Sequence, residues 1–79
     1  MSIFNKLMDS KEELIVYCKN KSCFKYVNIT DVTPTGESFI LELTNSEIGK
    51  GIYGDRQTII SSDNIERILL PERNSRKVL

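Results

Sequence analysis

Thr58-Ile59-Ile60-Ser61-Ser62-Asp63-Asn64-Ile65-Glu66-Arg67-Ile68-Leu69-Leu70-Pro71 is the stretch on which the reading of this chain turns. It holds the densest apolar run, broken once by a polar cluster and closed by a proline. Ile59 and Ile60 are β-branched, as a half-buried strand requires. The side chains of Ser61, Ser62, Asp63 and Asn64 can bond their own backbone, which favours a turn over a continued strand. Ile65, Ile68 and Leu70 then resume the apolar pattern until Pro71 withdraws a donor and ends it. The stretch therefore predicts two short strands, Arg56 to Ser61 and Ile65 to Leu70, around one tight turn.

Working back toward the N-terminus, Ser38-Phe39-Ile40-Leu41-Glu42-Leu43 alternates as a strand with Phe39, Leu41 and Leu43 inward. Thr33-Pro34-Thr35-Gly36 precedes it as a turn, with proline presetting one dihedral and glycine permitting a positive one. Ser22 to Thr33 is a long second strand whose apolar residues change parity. Phe24 and Tyr26 fall on one face, Val27 and Ile29 on the other, and Val32 switches back. A straight strand cannot bury them all, so a bulge or sharp bend is expected. Leu14-Ile15-Val16-Tyr17-Cys18 has the density of a first strand, placed at about Glu13 to Lys19, and Asn20-Lys21 is read as a two-residue hairpin turn. That register sets Cys18 opposite Cys23. Ser2 caps a helix over about residues 2–9 carrying Ile3, Phe4, Leu7 and Met8. A competing start at Ser10-Lys11-Glu12-Glu13 is rejected because strand-like residues follow it.

These elements compose one mainly β domain over residues 1–71, a small, partly open five-stranded barrel with a short N-terminal helix. Residues 72–79 are polar and charged and are expected to form a flexible tail. A chain of 79 residues buries a small core, so association would add to its stability. No signal peptide and no bilayer-length apolar run is read, which implies a cytoplasmic protein with no membrane partner.

Eleven basic residues balance eleven acidic ones, and histidine and tryptophan are absent. Overall neutrality argues against general nucleic-acid affinity, which needs a basic footprint. The missing imidazole leaves no evident general base, so no catalytic residue is assigned and no enzyme is expected. Gly49-Lys50-Gly51-Ile52-Tyr53-Gly54 matches G-x-G-x-x-G, but strand-like residues follow where a dinucleotide site needs a helix. Cys18 and Cys23 lack two further ligands for zinc, so no metal and no cofactor is expected. They are read as buried free thiols, with redox sensing as the second possibility.

One local asymmetry stands out. Leu14 to Thr30 contains no acid, while Lys19, Lys21 and Lys25 gather with Tyr17, Phe24 and Tyr26, and Arg73, Arg76 and Lys77 add a basic tail. Lysines among aromatics suit phosphates and stacked bases, although edge lysines also guard strands against aggregation. With Arg56 at the start of the fourth strand, Lys19, Lys21, Phe24, Lys25 and Tyr26 are the residues assigned to a partner or to nucleic acid.

The order of helix, strand, long bent strand, strand, variable loop and two short strands around a tight turn resembles the Sm-like family. Ser38-Phe39-Ile40-Leu41-Glu42 is similar to that family's Asn-Leu-x-Leu-Glu strand start. The resemblance implies a small barrel that assembles into rings and binds RNA. Ser38 stands where the family has its base-reading asparagine, and Pro34 where it has an aspartate. Ser61-Ser62-Asp63-Asn64 replaces its Arg-Gly, so the residues of the uridine pocket are absent. The expected function is accordingly a non-catalytic binding module that oligomerises, as a homo-oligomer, or docks on a protein partner. The alternative is an RNA-binding protein working through Lys19, Lys21 and Lys25.

Overall fold

A computed structural model of the protein describes residues 2–45, 56–74 and 76–79, with residue 56 described by its backbone alone. The chain is mainly β, with one short helix and six antiparallel strands in an open sheet. They are α1 (Ile3–Ser10), β1 (Leu14–Cys18), β2 (Cys23–Thr35), β3 (Ser38–Asn45), β4 (Arg56–Ser61), β5 (Ile65–Leu70) and β6 (Arg76–Lys77). The sheet order is β4-β3-β2-β1-β5-β6. The G-x-G-x-x-G stretch lies outside the described residues.

Ser2 caps α1 as expected, its hydroxyl oxygen accepting from the Asn5 N–H at 3.2 Å. Phe4 and Leu7 are buried, and the Phe4 ring tilts against Phe39 with centroids 5.5 Å apart. Lys11 ends the helix in a left-handed conformation (φ 57°), which excludes the competing helix start at this residue. The Asn28 side-chain amide then donates to the Lys11 and Glu12 carbonyls, both at 3.1 Å, and ties the link before β1 to β2.

β2 organises the sheet. Its first part, through Val27, pairs with β1, and Asn28 onward pairs with β3. Two bulges achieve the expected change of parity. Ile15 pairs with Lys25 but Leu14 with Val27, so Tyr26 is an extra residue; Thr30 is likewise extra between Ile29 and Asp31. Each bulge inserts one side chain and flips the alternation. Val27 and Ile29 thereby reach the core, against which Phe24 and Val32 also pack. Tyr26 sits at φ 56° and is 47% exposed. A left-handed tyrosine costs roughly 1–2 kcal/mol, a strain that the flanking pairings hold in place. At Thr30 the hydroxyl donates to Glu42 Oε1 at 2.7 Å.

β3 alternates as read, with Leu41 and Leu43 buried and Phe39 packed against the core. The turn before it is tighter than expected. Pro34 and Thr35 stay in β2, and Gly36-Glu37 alone reverse the chain, with Gly36 at φ 63°. β4 and β5 have the predicted bounds. The polar cluster between them forms a 3₁₀ turn (Ser62–Asn64) in which the Asp63 N–H donates to Ser61 Oγ at 3.2 Å.

Two expectations on the strands are corrected. There are six strands rather than five, because the segment read as a tail turns back on β5. Pro71–Arg73 forms a 3₁₀ turn, Asn74 reverses direction at φ 59°, and Leu70 and Leu69 then pair with Arg76 and Lys77. The Val78 N–H donates to the Ile68 carbonyl at 2.9 Å, and the Ile68 N–H donates to the Leu79 carbonyl at 3.2 Å. Val78 also packs on the core. These contacts satisfy backbone groups that β5 would otherwise leave at its edge. Second, the sheet is open: among the described residues no strand closes β4 onto β6.

Candidate functional site

The residues assigned to binding begin at the β1–β2 turn. The Cys18 N–H donates to the Ser22 carbonyl at 2.8 Å, and the Lys21 N–H donates to the Cys18 carbonyl at 3.1 Å. The loop is therefore Lys19-Asn20-Lys21, three residues, with Lys21 left-handed at φ 75°. The expected two-residue turn is overturned for a conformational reason. A type I′ turn needs positive φ at both central residues, whereas a three-residue loop needs it at one. Asn20 completes the turn by accepting from the Ser22 N–H at 3.0 Å.

This one-residue change in register separates the cysteines. Tyr17, not Cys18, faces Cys23. Cys18 points inward with Leu14 and Val16, while Cys23 is exposed on the outer face. The reading of both as buried thiols holds for Cys18 alone. Burial, and secondarily the nearby Cys23 thiol, pushes Cys18 up from its ordinary value of 9.0. The core thus accepts the neutral thiol. Its contribution to stability is full below the ordinary value and is lost as pH rises through the raised folded value. Iodoacetamide at neutral pH is expected to alkylate Cys23 in the native protein and both thiols in urea. Two adducts forming at equal rates without denaturant, seen by mass spectrometry, would refute this placement.

The tip of the loop is fastened to the β4–β5 turn. The Lys19 N–H donates to the Asn64 carbonyl at 2.6 Å, and the Asn20 N–H to Asn64 Oδ1 at 3.3 Å. Lys19 and Lys21 are exposed at this tip, and Lys25 is exposed on the outer face of β2. Phe24 turns inward against the core, and Tyr26 occupies the bulge at the far end of the β1 pairing. The five residues 19, 21, 24, 25 and 26 therefore do not form one interleaved surface. Arg56 opens β4 opposite Asn45, away from the loop tip.

The fold does bring together the positions that the Sm-like resemblance singles out. The Ser38 hydroxyl lies 2.7 Å from Asp63 Oδ2 and 2.8 Å from Oδ1, and the Phe39 N–H donates to Ser62 Oγ at 2.9 Å. A hydroxyl–carboxylate pair thus joins the start of β3 to the β4–β5 turn. A carboxylate there repels a phosphate backbone.

Two hollows accompany these features. One of about 190 Å³ is lined by Cys23, Phe24, Lys25, Leu43, Asn45 and neighbours, and within it the Asn45 amide donates to the Lys25 carbonyl at 2.6 Å. The other, about 390 Å³, lies between α1 and the Thr30 bulge and is lined by Met8, Lys11, Asn28, Ile29 and Thr30. Their described linings include no carboxylate.

Sequence reasoning missed Arg67 and read Lys77 only as part of a basic tail. Arg67 pairs with Tyr17 across β1 and β5 and stacks over its ring, Cζ lying 4.2 Å from the centroid. Lys77 comes alongside Leu69 through β6. The available signal was β1 itself, which is apolar on both parities. No described helix is long and apolar enough to cross a membrane. Comparison with protein-family models, with curated proteins and with solved structures returns no match.

Proposed function

We propose that this chain is a non-catalytic, cytoplasmic binding module on an SH3-like, Sm-like framework, and that it acts by strand addition at the outer edge of β4. The framework reading is supported by the strand order β4-β3-β2-β1-β5, by the two bulges in β2 and by the 3₁₀ turn between β4 and β5. The observation that carries the docking reading is the asymmetry of the two sheet ends. β6 covers one end, whereas among the described residues nothing pairs with the far side of β4. β4 has six residues, and its Ile59 is 68% exposed. An uncovered edge with an apolar side chain is a template for another strand, because its free N–H and C=O groups need partners. A second copy supplies such a strand, β4 against β4. Among the described residues β4 is the one open edge longer than two residues, which favours a closed pair over a ring, since the same patch then serves both copies. RNA binding through Lys19, Lys21 and Lys25 ranks behind, because the Asp63 carboxylate at the β4–β5 turn repels a phosphate backbone.

Light scattering across a concentration series tests the reading. Wild type is expected to reach a dimer's mass, and short RNAs are expected to leave that mass unchanged. Ile59→Lys is expected to return a folded monomer, since a charge at an edge discourages pairing. A wild-type monomer at every concentration, or a dimer indifferent to Ile59→Lys, would sink the edge reading.

A further inference from the structure

A strand with water on one side should alternate, and β1 does not. Leu14, Val16 and Cys18 fill the core, yet the outer face carries Ile15 and Tyr17, both half-buried. Runs apolar on both faces belong to sheets covered on both faces. α1 makes its principal packing contacts with the β2 side of the molecule. The neighbours of β1 extend the outer patch. Lys25, Ile15, Leu69 and Lys77 lie in one cross-strand row over β2, β1, β5 and β6, and Cys23, Tyr17 and Arg67 form the next. The first row reads cation, apolar, apolar, cation. No paired position in either row is a carboxylate. Glu66 is the extra residue of the β5 bulge beside the second row, and Glu13 immediately precedes β1.

We propose that this outer face of β2-β1-β5-β6 docks an acidic amphipathic helix of a protein partner. Three strand spacings separate the backbones at Lys25 and Lys77 by about 14 Å. A helix with its side chains is about 10–12 Å across and seats between them. Its apolar stripe rests on Ile15, Tyr17 and Leu69, and glutamates on its two flanks meet Lys25 on one side and Lys77 on the other. Arg67, already stacked on Tyr17, offers a guanidinium for a further carboxylate. A nucleic-acid strand fits less well. The centre of the row is apolar, and the guanidinium of Arg67 occupies the ring face on which a base would stack. This surface is separate from the β4 edge and extends the binding-module reading to a second contact.

The probe is a fluorescent synthetic helix of about 18 residues, five turns, with a leucine stripe flanked by glutamates. Full-length protein is titrated by anisotropy against it, against the same stripe flanked by lysines, and against oligo(U). Wild type is expected to bind the glutamate helix at least about tenfold tighter than the lysine helix, like charges being strongly disfavoured across an interface. Lys25→Glu with Lys77→Glu, at two exposed sites, is expected to reverse that preference while circular dichroism stays unchanged. Ile59→Lys is expected to leave it untouched, which separates this face from the edge. The proposal is overturned if wild type ignores the glutamate helix or if charge reversal leaves the preference intact. It is also overturned if oligo(U) alone binds in a manner lost on charge reversal.

Discussion

Ile68→Ala is expected to unfold most of the protein under mild conditions, while Ile59→Ala leaves stability nearly unchanged. Ile68 is 0% exposed, faces Val16 across β1 and β5, and belongs to the single core. Its backbone also bonds to both Val78 and Leu79. Removing the branched side chain forfeits its transfer energy and leaves a cavity that strands on both sides hold open. Such truncations cost about 2–5 kcal/mol. A single core in a chain of this size rarely supplies more than about 3–5 kcal/mol. The loss is therefore comparable to the whole stability. Ile59 has the same chemistry but is 68% exposed in the single chain, and below the concentration at which chains pair a surface change of this kind stays within about 0.5 kcal/mol. Urea denaturation of the two variants decides the matter. A loss below about 1 kcal/mol at Ile68 would mean that the β1–β5 contact does not hold the core together.

Ending the chain at Asn74 is expected to convert a closed pair into an assembly that grows with concentration. The full chain hides the edge of β5 under β6, through the pairs Leu69 with Lys77 and Leu70 with Arg76. Truncation removes that cover together with the packing of Val78 on the core. The molecule then has two open edges, β4 and β5, at opposite ends of the sheet. Pairing β4 of one copy with β5 of the next is a head-to-tail contact, which closes into a ring or runs on as a filament. Light scattering should show mass rising with concentration for the truncated chain and a plateau at the dimer for wild type. If the truncated chain keeps the wild-type mass, β6 is not what limits assembly. Thermal melting of the same sample guards against misreading an unfolded aggregate, because the ordered assembly retains a cooperative transition.

The strands were legible where local patterning and tertiary packing agree. β4 and β5 keep the bounds set by Ile59-Ile60 and by Ile65, Ile68 and Leu70 against Pro71. The parity changes of Phe24, Val27, Ile29 and Val32 announced that β2 must bulge, but not at which residues. Tyr26 and Thr30 were selected by their partners Leu14, Ile15, Leu43 and Glu42. The β1–β2 turn is one residue longer than Asn20-Lys21 implies, because that pair is adequate only locally. The deciding contact is remote: Asn64, far along the chain, receives the Lys19 and Asn20 N–H groups.

A mainly β chain with one capped helix follows from local patterning alone, since alternation, turn residues and proline act over a few neighbours. The sequence also carries the anomaly of β1, apolar on both parities. Which faces and edges stay open depends on how the strands pair. Cys18 and Cys23 part company through a register that strand pairing sets. Lys77 joins Lys25 in one row because β6 returns along β5, and Arg67 reaches Tyr17 across strands distant in sequence. The physical reason is that exposure and charge juxtaposition depend on non-local pairing, whereas periodicity and capping are properties of the local backbone.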